Sequence, residues 1–452
     1  MGIDSIRASL GRPVHIAPLV VFRIAFGLLM FGSMLRFMLK GWVDQLYINP
    51  KMFFPYFGFE WVKPLPGEWM YLVFGLLLLA SLLITFGLLY RFAAISFFLL
   101  FTYVELIDKT NYLNHYYFVS VISFLLIFLP AHRYFSLDVR FRPQLARSRV
   151  PNYLVLPIKL QLLCVYFFAG VAKLNADWLL EAQPLKIWLP AFNHLPLIGP
   201  LVEQEWVAYL FSWFGCVYDL AIGFLLFGRR TVKLAYVLVV IFHLFTALFF
   251  NIGMFPWIMI TITVIFFPEN AHLRMLGFLQ GIFGKGKMPV VELCEPRLPF
   301  RKLLIGLLAV HFLFQVLLPF RYLVYPGDLF WTEQGYRFSW RVMLMEKAGT
   351  AFFYVKDRAS GRESEVNNSA YLTFMQEKML ATQPDMMVDY AHFLKKEFER
   401  KGVKDPIIRA ECYVTLNGRG SRLFIDPQVD LASQTNNPLK VKNWILPYER
   451  KN

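Results

Sequence analysis

The sequence predicts an all-α polytopic membrane domain of about nine transmembrane helices, followed by a small α/β extracytoplasmic domain. Three observations predict it. Of 452 residues, 57% are hydrophobic and only 17% are charged, against about 25% charged in a typical soluble chain. Apolar runs of near-membrane length follow one another from residue 17 to residue 320. From 321 onward the chain turns polar and mixed. The net charge of +15 would suggest nucleic acid in a soluble protein. In a membrane protein it reads as basic cytoplasmic loops, so no nucleic-acid partner is expected. The 4 cysteines are scattered and form neither a disulfide framework nor a CxxC metal pattern.

A span needs about 20 apolar residues. The runs that approach this are 17–38, 70–90, 92–107, 116–130, 154–174, 207–227, 234–250, 253–267 and 303–320. The N-terminus lacks a signal peptide's cleavage site, so the first run is expected to be retained. Loop charges orient the spans. With Arg7 and Arg12 in the cytoplasm, alternate turns carry Arg91, then Arg133, Arg140, Arg142, Arg147 and Arg149, then Arg229, Arg230 and Lys233. The intervening segment 175–206 is acidic, with Asp177, Glu181, Glu203 and Glu205. This is the positive-inside pattern. An odd number of spans then places 321–452 outside. Two domains are expected, 1–320 and 321–452. In the second, hairpins are expected at Phe338–Glu346 with Thr350–Lys356 and at Ile407–Leu416 with Ser421–Ile425, and helices at Ala370–Leu380 and Met386–Lys401.

Ionisable groups within apolar spans are costly and mark candidate sites. Tyr166, Gly170, Lys173 and Asp177 share one face if the fifth helix runs that far. Counting through the spans brings Asp108, Lys109, Asn114, His115, Lys173, His243 and Asn251 to similar depth near the outer leaflet. That depth suggests a site opening outward between apolar helices. A lysine amine in such walls loses the solvation that favours its charged form and can act as a general base. His115 and His243 can relay protons. The bland alternative is Lys173 snorkelling to the interface beside Asp177. Two His with Asp108 would be a zinc reading, but no metal-ligand spacing supports it, and no metal is expected. Arg23 and Asp219 are expected to pair with each other, and His311 and Gln315 to bond another helix. Replacing Lys173 by an apolar residue is expected to leave no unpaired charge. No Walker loop, Rossmann fingerprint, GxSxG elbow or HExxH appears in a usable context.

At these residues the chain resembles the vitamin K-dependent γ-glutamyl carboxylases and the wider HTTM family. The resemblance runs through VVFRIAFGLLMFGSM, DKTNYLNHYYF, VYFFAGVAKLNADW, DLAIGFLLF, FHLFTALFFNIGMFPW, QGYRFSWRVML and RLFIDPQVD, over about residues 15–430. It implies a membrane enzyme that oxidises a reduced naphthoquinone (phylloquinol or menaquinol) with dioxygen to the epoxide. That oxidation drives removal of a γ-proton from peptide Glu, and carbon dioxide adds to the carbanion. The resemblance makes Lys173, His115, Asn114 and His243 the catalytic residues. It makes Tyr166, Asn114, Asn251 and Met254 the quinone-binding ones.

A Glu-containing peptide, a lipid-soluble quinone and membrane lipids are the expected partners. Ala172 stands where animal carboxylases carry a second Lys, and the long lumenal extension of those enzymes is missing. The compact form without that extension suggests a bacterial homologue in the inner membrane (endoplasmic reticulum if eukaryotic), and the loop charges place the N-terminus in the cytoplasm and the C-terminus outside. The outer domain is expected to present peptide rather than to perform chemistry. The alternatives are a quinol epoxidase without carboxylation, and a non-enzymatic transporter or lipid-binding membrane protein on the same scaffold.

Overall fold

A computed structural model describes residues 8–250, 252–283 and 301–448. Its membrane region is all-α. The long helices are α1 (Ala17–Leu39), α2 (Trp69–Phe86) and α3 (Tyr90–Ile107). Shorter ones follow, α4 (Asn114–Phe128) and α5 (Leu156–Ala172), then the long α6 (Glu205–Phe227) and α7 (Val232–Phe249). The region closes with α8 (Phe255–Thr263), α9 (Glu269–Phe283) and α10 (Arg301–Leu317).

The expected nine spans are corrected to six. Among the described residues, 6 helices are long and apolar enough to cross a membrane, the last being α10 with its 3-10 continuation to Val324. The fourth, fifth and eighth expected spans are apolar helices of only 10–17 residues. A 15-residue helix such as α4 reaches about 22 Å, short of a hydrocarbon core of about 30 Å. Proline sets these lengths. Leu129 is extended before Pro130, while α5 and α8 carry Pro157 and Pro256 in their first turns. Proline fits a helix's first turn and pushes the residue before it out of the helical region. With the count at six, the parity argument no longer locates the C-terminal domain.

Two contacts give the bundle its shape. Helices α5 and α6 approach closely at glycines: a Cβ on Gly170 would lie 2.7 Å from the backbone nitrogen of Leu220, and one on Gly223 2.6 Å from Leu163 Cδ1. Small residues at such crossings are what let helices pack in a bilayer. Arg23 does not pair with Asp219. Its guanidinium donates to the carbonyls of Ala131 (2.9 Å), Phe135 (2.7 Å) and Thr85 (3.3 Å), closing the end of α2 against the chain after α4. The strands β1 (Pro13–His15) and β2 (Arg149–Pro151) pair antiparallel and tie the N-terminal segment to the loop before α5.

The C-terminal domain is α/β, as expected. Strands β3 (Lys347–Lys356), β4 (Glu363–Glu365), β5 (Ile407–Leu416) and β6 (Arg422–Leu423) form an antiparallel sheet in the order β4-β3-β5-β6. Helices α11 (Phe374–Leu380) and α12 (Pro384–Arg400) match the sequence expectation closely. The second hairpin forms, with Tyr413 opposite Leu423. The first does not. Phe338, Trp340 and Met343 have φ of 61°, 58° and 50°, left-handed values that break an extended strand. Trp340 instead lies 4.8 Å, ring to ring, from Tyr117 in the bundle. The core of this domain is shared: Phe353, Tyr390 and Val414 belong to one buried cluster with Phe54, Trp178, Leu185 and Val207.

Candidate active site

The site grows from the α5–α6 crossing. Helix α5 ends at Ala172 and Lys173 is its C-cap. The Lys173 side chain turns back along the bundle, and its Nζ lies 2.7 Å from Asp219 Oδ2 and 3.3 Å from the Ala169 carbonyl. Both partners are buried. The glycine-enabled approach of α5 and α6 is what brings amine and carboxylate together. On α6, Gly215, Asp219 and Gly223 recur every fourth residue and so share one face. Trp178 stands beside the ammonium, with Nζ 5.3 Å from its ring centroid, and is fixed by Nε1 donating to the Ser212 carbonyl at 2.9 Å.

The pair faces a cavity of about 320 Å³. Its walls are apolar and rich in aromatic rings, Phe211, Phe214, Phe242, Phe249 and Phe255 among them. Tyr166 and His243 line it as well, with Tyr166 Oη and His243 Nε2 3.2 Å apart. His243 Nδ1 is buried without a partner. Leu210, Phe214, Ile241 and Phe245 line the cavity and are also exposed on the outside of the bundle. The cavity therefore abuts the lipid-facing surface between α6 and α7. Its roof includes Val342 and Met343, from the segment expected to be a strand. The left-handed residues there direct the chain into the bundle.

The sequence-predicted residues divide into three groups. Lys173, Tyr166 and His243 meet in the cavity. Asn114 and His115 sit behind it: Asn114 Nδ2 donates to the Arg341 carbonyl at 2.7 Å, and His115 packs on Tyr116 and on Phe255, 6.1 Å ring to ring. Phe255 is also 5.7 Å from the His243 ring, so one aromatic side chain touches both histidines. Met254 lines a different groove, with Val21 and Leu28 of α1 and Met275 of α9. Asn251 lies outside the described residues.

Asp108, Lys109 and Asp177 do not reach the cavity. They fasten the C-terminal domain. Asp108 accepts from Gln376 Nε2 at 2.9 Å. Lys109 Nζ meets Asp389 at 2.6 Å and Asp385 at 3.0 Å. Asp177 accepts two hydrogen bonds from Arg419 at 3.0 Å and one from Asn417 at 2.7 Å. The helix face drawn through Asp177 fails because α5 stops before it and Asn175 caps a new single turn. His311 and Gln315 bond Gln161 of α5, at 2.9 and 3.0 Å, as expected of a helix–helix contact. Asp219 is the residue the sequence reading missed. Its signal was the glycine four residues to either side of it.

These features define a class: a multi-pass membrane protein with a lipid-facing aromatic cavity that holds one buried ion pair. The comparisons with known proteins narrow it. The HTTM domain model matches residues 11–270, and the model for the vitamin K-dependent gamma-carboxylase, lumenal domain matches residues 300–451. The chain belongs to the vitamin K-dependent gamma-carboxylase family. No solved structure matches it.

Proposed function

We propose that the protein oxidises a reduced naphthoquinone with dioxygen to the epoxide, and that this is coupled to γ-proton abstraction and carboxylation of peptide Glu. The observation that carries the reading is the Lys173–Asp219 pair on the wall of an aromatic cavity at the lipid-facing surface. A flat naphthol ring fits those walls, and ring-on-ring contact of this kind is favourable. The unpartnered His243 Nδ1 is a group that a ring oxygen would satisfy. A lipid-soluble molecule has a direct approach past Leu210 and Phe245.

The bound quinol supplies the oxidative driving force that no side chain can. The chain's residues hold the ring and move the first proton. Lys173 receives the quinol proton at Nζ after passing its own to Asp219 Oδ2 across the 2.7 Å contact. That transfer neutralises both groups inside the cavity, so no isolated charge is left in an apolar site. Tyr166 orients His243 through Nε2 and leaves Nδ1 without a protein partner. Asn114, held on the Arg341 carbonyl, and His115, packed on Phe255, brace the wall from behind. A quinone contact of Asn251 belongs to the same proposal, whereas Met254, which lines the other groove, is left out of it. A division of domains at 320/321 belongs to it too, with 321–452 outside the cytoplasm and the N-terminus inside. The match of 300–451 to a lumenal domain supports the outer placement of the C-terminal domain.

The test is product analysis on purified protein with reduced naphthoquinone and dioxygen, followed by the same assay with a Glu peptide and labelled bicarbonate. Epoxide with label fixed in the peptide supports the full reading. Epoxide without label leaves a quinol epoxidase. Neither product refutes both.

A further inference from the structure

A second cavity lies on the far side of the C-terminal domain's attachment, and its charges do not balance. It has a volume of about 280 Å³ and is bordered by the cations Lys109, Arg321, Arg337 and Lys442 and the carboxylates Asp385 and Glu333. The carboxylates are already engaged. Asp385 sits between Lys109 (3.0 Å) and Arg337 (2.7 Å), and Glu333 is held by Lys347 at 2.9 Å. Arg321 and Lys442 form no ion pair among the described residues. Arg321 gives one hydrogen bond to the Arg337 carbonyl at 3.0 Å, and its Nε is buried without a partner. Lys442 is only 9% exposed, and its contact to Asn436 Oδ1 is long, at 3.4 Å. Burial pushes the Lys442 ammonium pKa down. Asp385 and Asp389 attract the ammonium from a distance, but both are already bound to Lys109, and Asp385 to Arg337 as well, so a further negative group would offset the cost of burying the cation.

Beside this cavity lies an apolar groove of about 260 Å³ on the flank of the bundle. Tyr56, Leu106 and Phe338 border both. Beyond them the groove runs along Phe98 and Thr102 of α3, Val121 and Phe124 of α4, and His311 of α10. Thr102 Oγ1 is buried there without a partner. The junction falls where α3 ends at Ile107 and where the apolar stretch of α10 ends at Val324. Phe57, Phe59 and Trp61 are exposed beside it, as aromatic residues are at a membrane–water border. A cationic head site at the border and an apolar trough within the membrane are therefore joined through three shared residues.

We propose that these joined cavities bind one glycerophospholipid, with its phosphate on Arg321 and Lys442 and one acyl chain in the groove against Phe98 and Phe124. The phosphodiester supplies the counter-charge, and the chain covers apolar surface the helices leave open. Glu105 also lines the groove, next to Leu106. A headgroup that carries a hydroxyl or ammonium donor meets it there. A second negative charge would be repelled. The site shares no lining residue with the Lys173 cavity and is independent of the proposed reaction.

The experiment is native mass spectrometry and phosphorus analysis of the full-length protein after exhaustive detergent exchange, then after incubation with phosphatidylglycerol, phosphatidylethanolamine or inorganic phosphate. About one phospholipid per chain should persist in the unchanged protein. Its retention should fall roughly tenfold or more in Arg321→Ala/Lys442→Met, consistent with loss of two charge-assisted contacts. It should fall similarly in Thr102→Phe, which fills the groove without touching the head site. Lys442→Arg should keep the lipid, and each variant's unfolding midpoint is recorded so that misfolding is recognised. Retention undiminished from that of the unchanged protein, in the double variant or in Thr102→Phe, would overturn the proposal. So would tight binding of inorganic phosphate that Thr102→Phe leaves unchanged, which would make this a free-anion site. Displacement of the lipid by an acidic peptide lacking any acyl chain would likewise count against it.

Discussion

The Lys173 cavity and the seam between the two domains use the same chemistry to opposite ends. Each is built on a lysine or arginine against a buried aspartate. At the seam, Asp177 is saturated by Arg419 and Asn417, and Lys109 by Asp385 and Asp389. Each of these charges has at least two partners, so the pairs fasten the domains, even where Lys109 and Asp385 border the second cavity. In the cavity, Lys173 and Asp219 have each other and an aromatic void in front. An ion pair that faces open volume can exchange a proton with a ligand. The difference lies in what surrounds the charges, not in which residues carry them.

The sharpest way to break this comparison is Lys173→Met. Loss of a general base typically costs ~10²–10⁴-fold in rate, so epoxide formation should nearly vanish. The structure also corrects the expectation that this change leaves no unpaired charge, because Asp219 loses its partner. Breaking a buried pair costs about 3–5 kcal/mol. Lys173→Met/Asp219→Leu should therefore unfold at a higher temperature than Lys173→Met alone and remain inactive. Recovery of turnover in the double variant would remove Lys173 from the chemistry.

At the seam, Arg419→Ala strips Asp177 of its bidentate partner. A loss of about 3–5 kcal/mol is again the scale for such a pair, here seen as earlier proteolysis of the C-terminal domain. Because Val342 and Met343 roof the cavity, quinol epoxidation should fall together with peptide carboxylation. Deleting the C-terminal domain is for the same reason no clean separation of peptide binding from chemistry. Epoxidation at the full rate with a detached domain would show that the roof is dispensable.

Gly170→Ala tests how the cavity pair is assembled. A methyl 2.7 Å from the Leu220 nitrogen must push α5 from α6, and overpacking of this sort costs about 1–3 kcal/mol. Activity should fall more than stability, since the displaced helix carries Lys173. A Gly170→Ala protein with unchanged turnover would mean that the crossing does not set the Lys173–Asp219 distance.

The smallest expected effect is on pH dependence at the seam. Burial raises the Asp385 carboxyl, but Arg337 and Lys109 outweigh it and hold the group well below the usual carboxylate range. Its contribution is thus fully present above about pH 4, the ordinary carboxylate value, and is lost as pH falls through the depressed one. Asp389 has the opposite sign, because burial raises it despite Lys109. Asp385→Asn should flatten the acid loss of domain docking measured by limited proteolysis, and Asp389→Asn should steepen it. Identical acid profiles in the two variants would refute this assignment of signs.

The sequence by itself determined the membrane class, the polar C-terminal α/β domain, two of its helices, its second hairpin and the three residues that meet in the cavity. Those features follow from local information: composition, apolar runs, turn residues and one long-range resemblance. The tertiary structure decided the rest. Hydropathy cannot separate a short apolar helix inside a bundle from a membrane span, so the count fell from about nine to the 6 long helices described. Alternation could not reveal that 338–343 leaves the sheet to roof a cavity, because the reason is a packing partner, Tyr117, more than two hundred residues away. Asp219 was read as a partner for Arg23 because charge alone allows either pairing. Distance decided it: the α5–α6 glycine crossing sets the carboxylate 2.7 Å from Lys173, while backbone carbonyls at the end of α2 and after α4 take up Arg23.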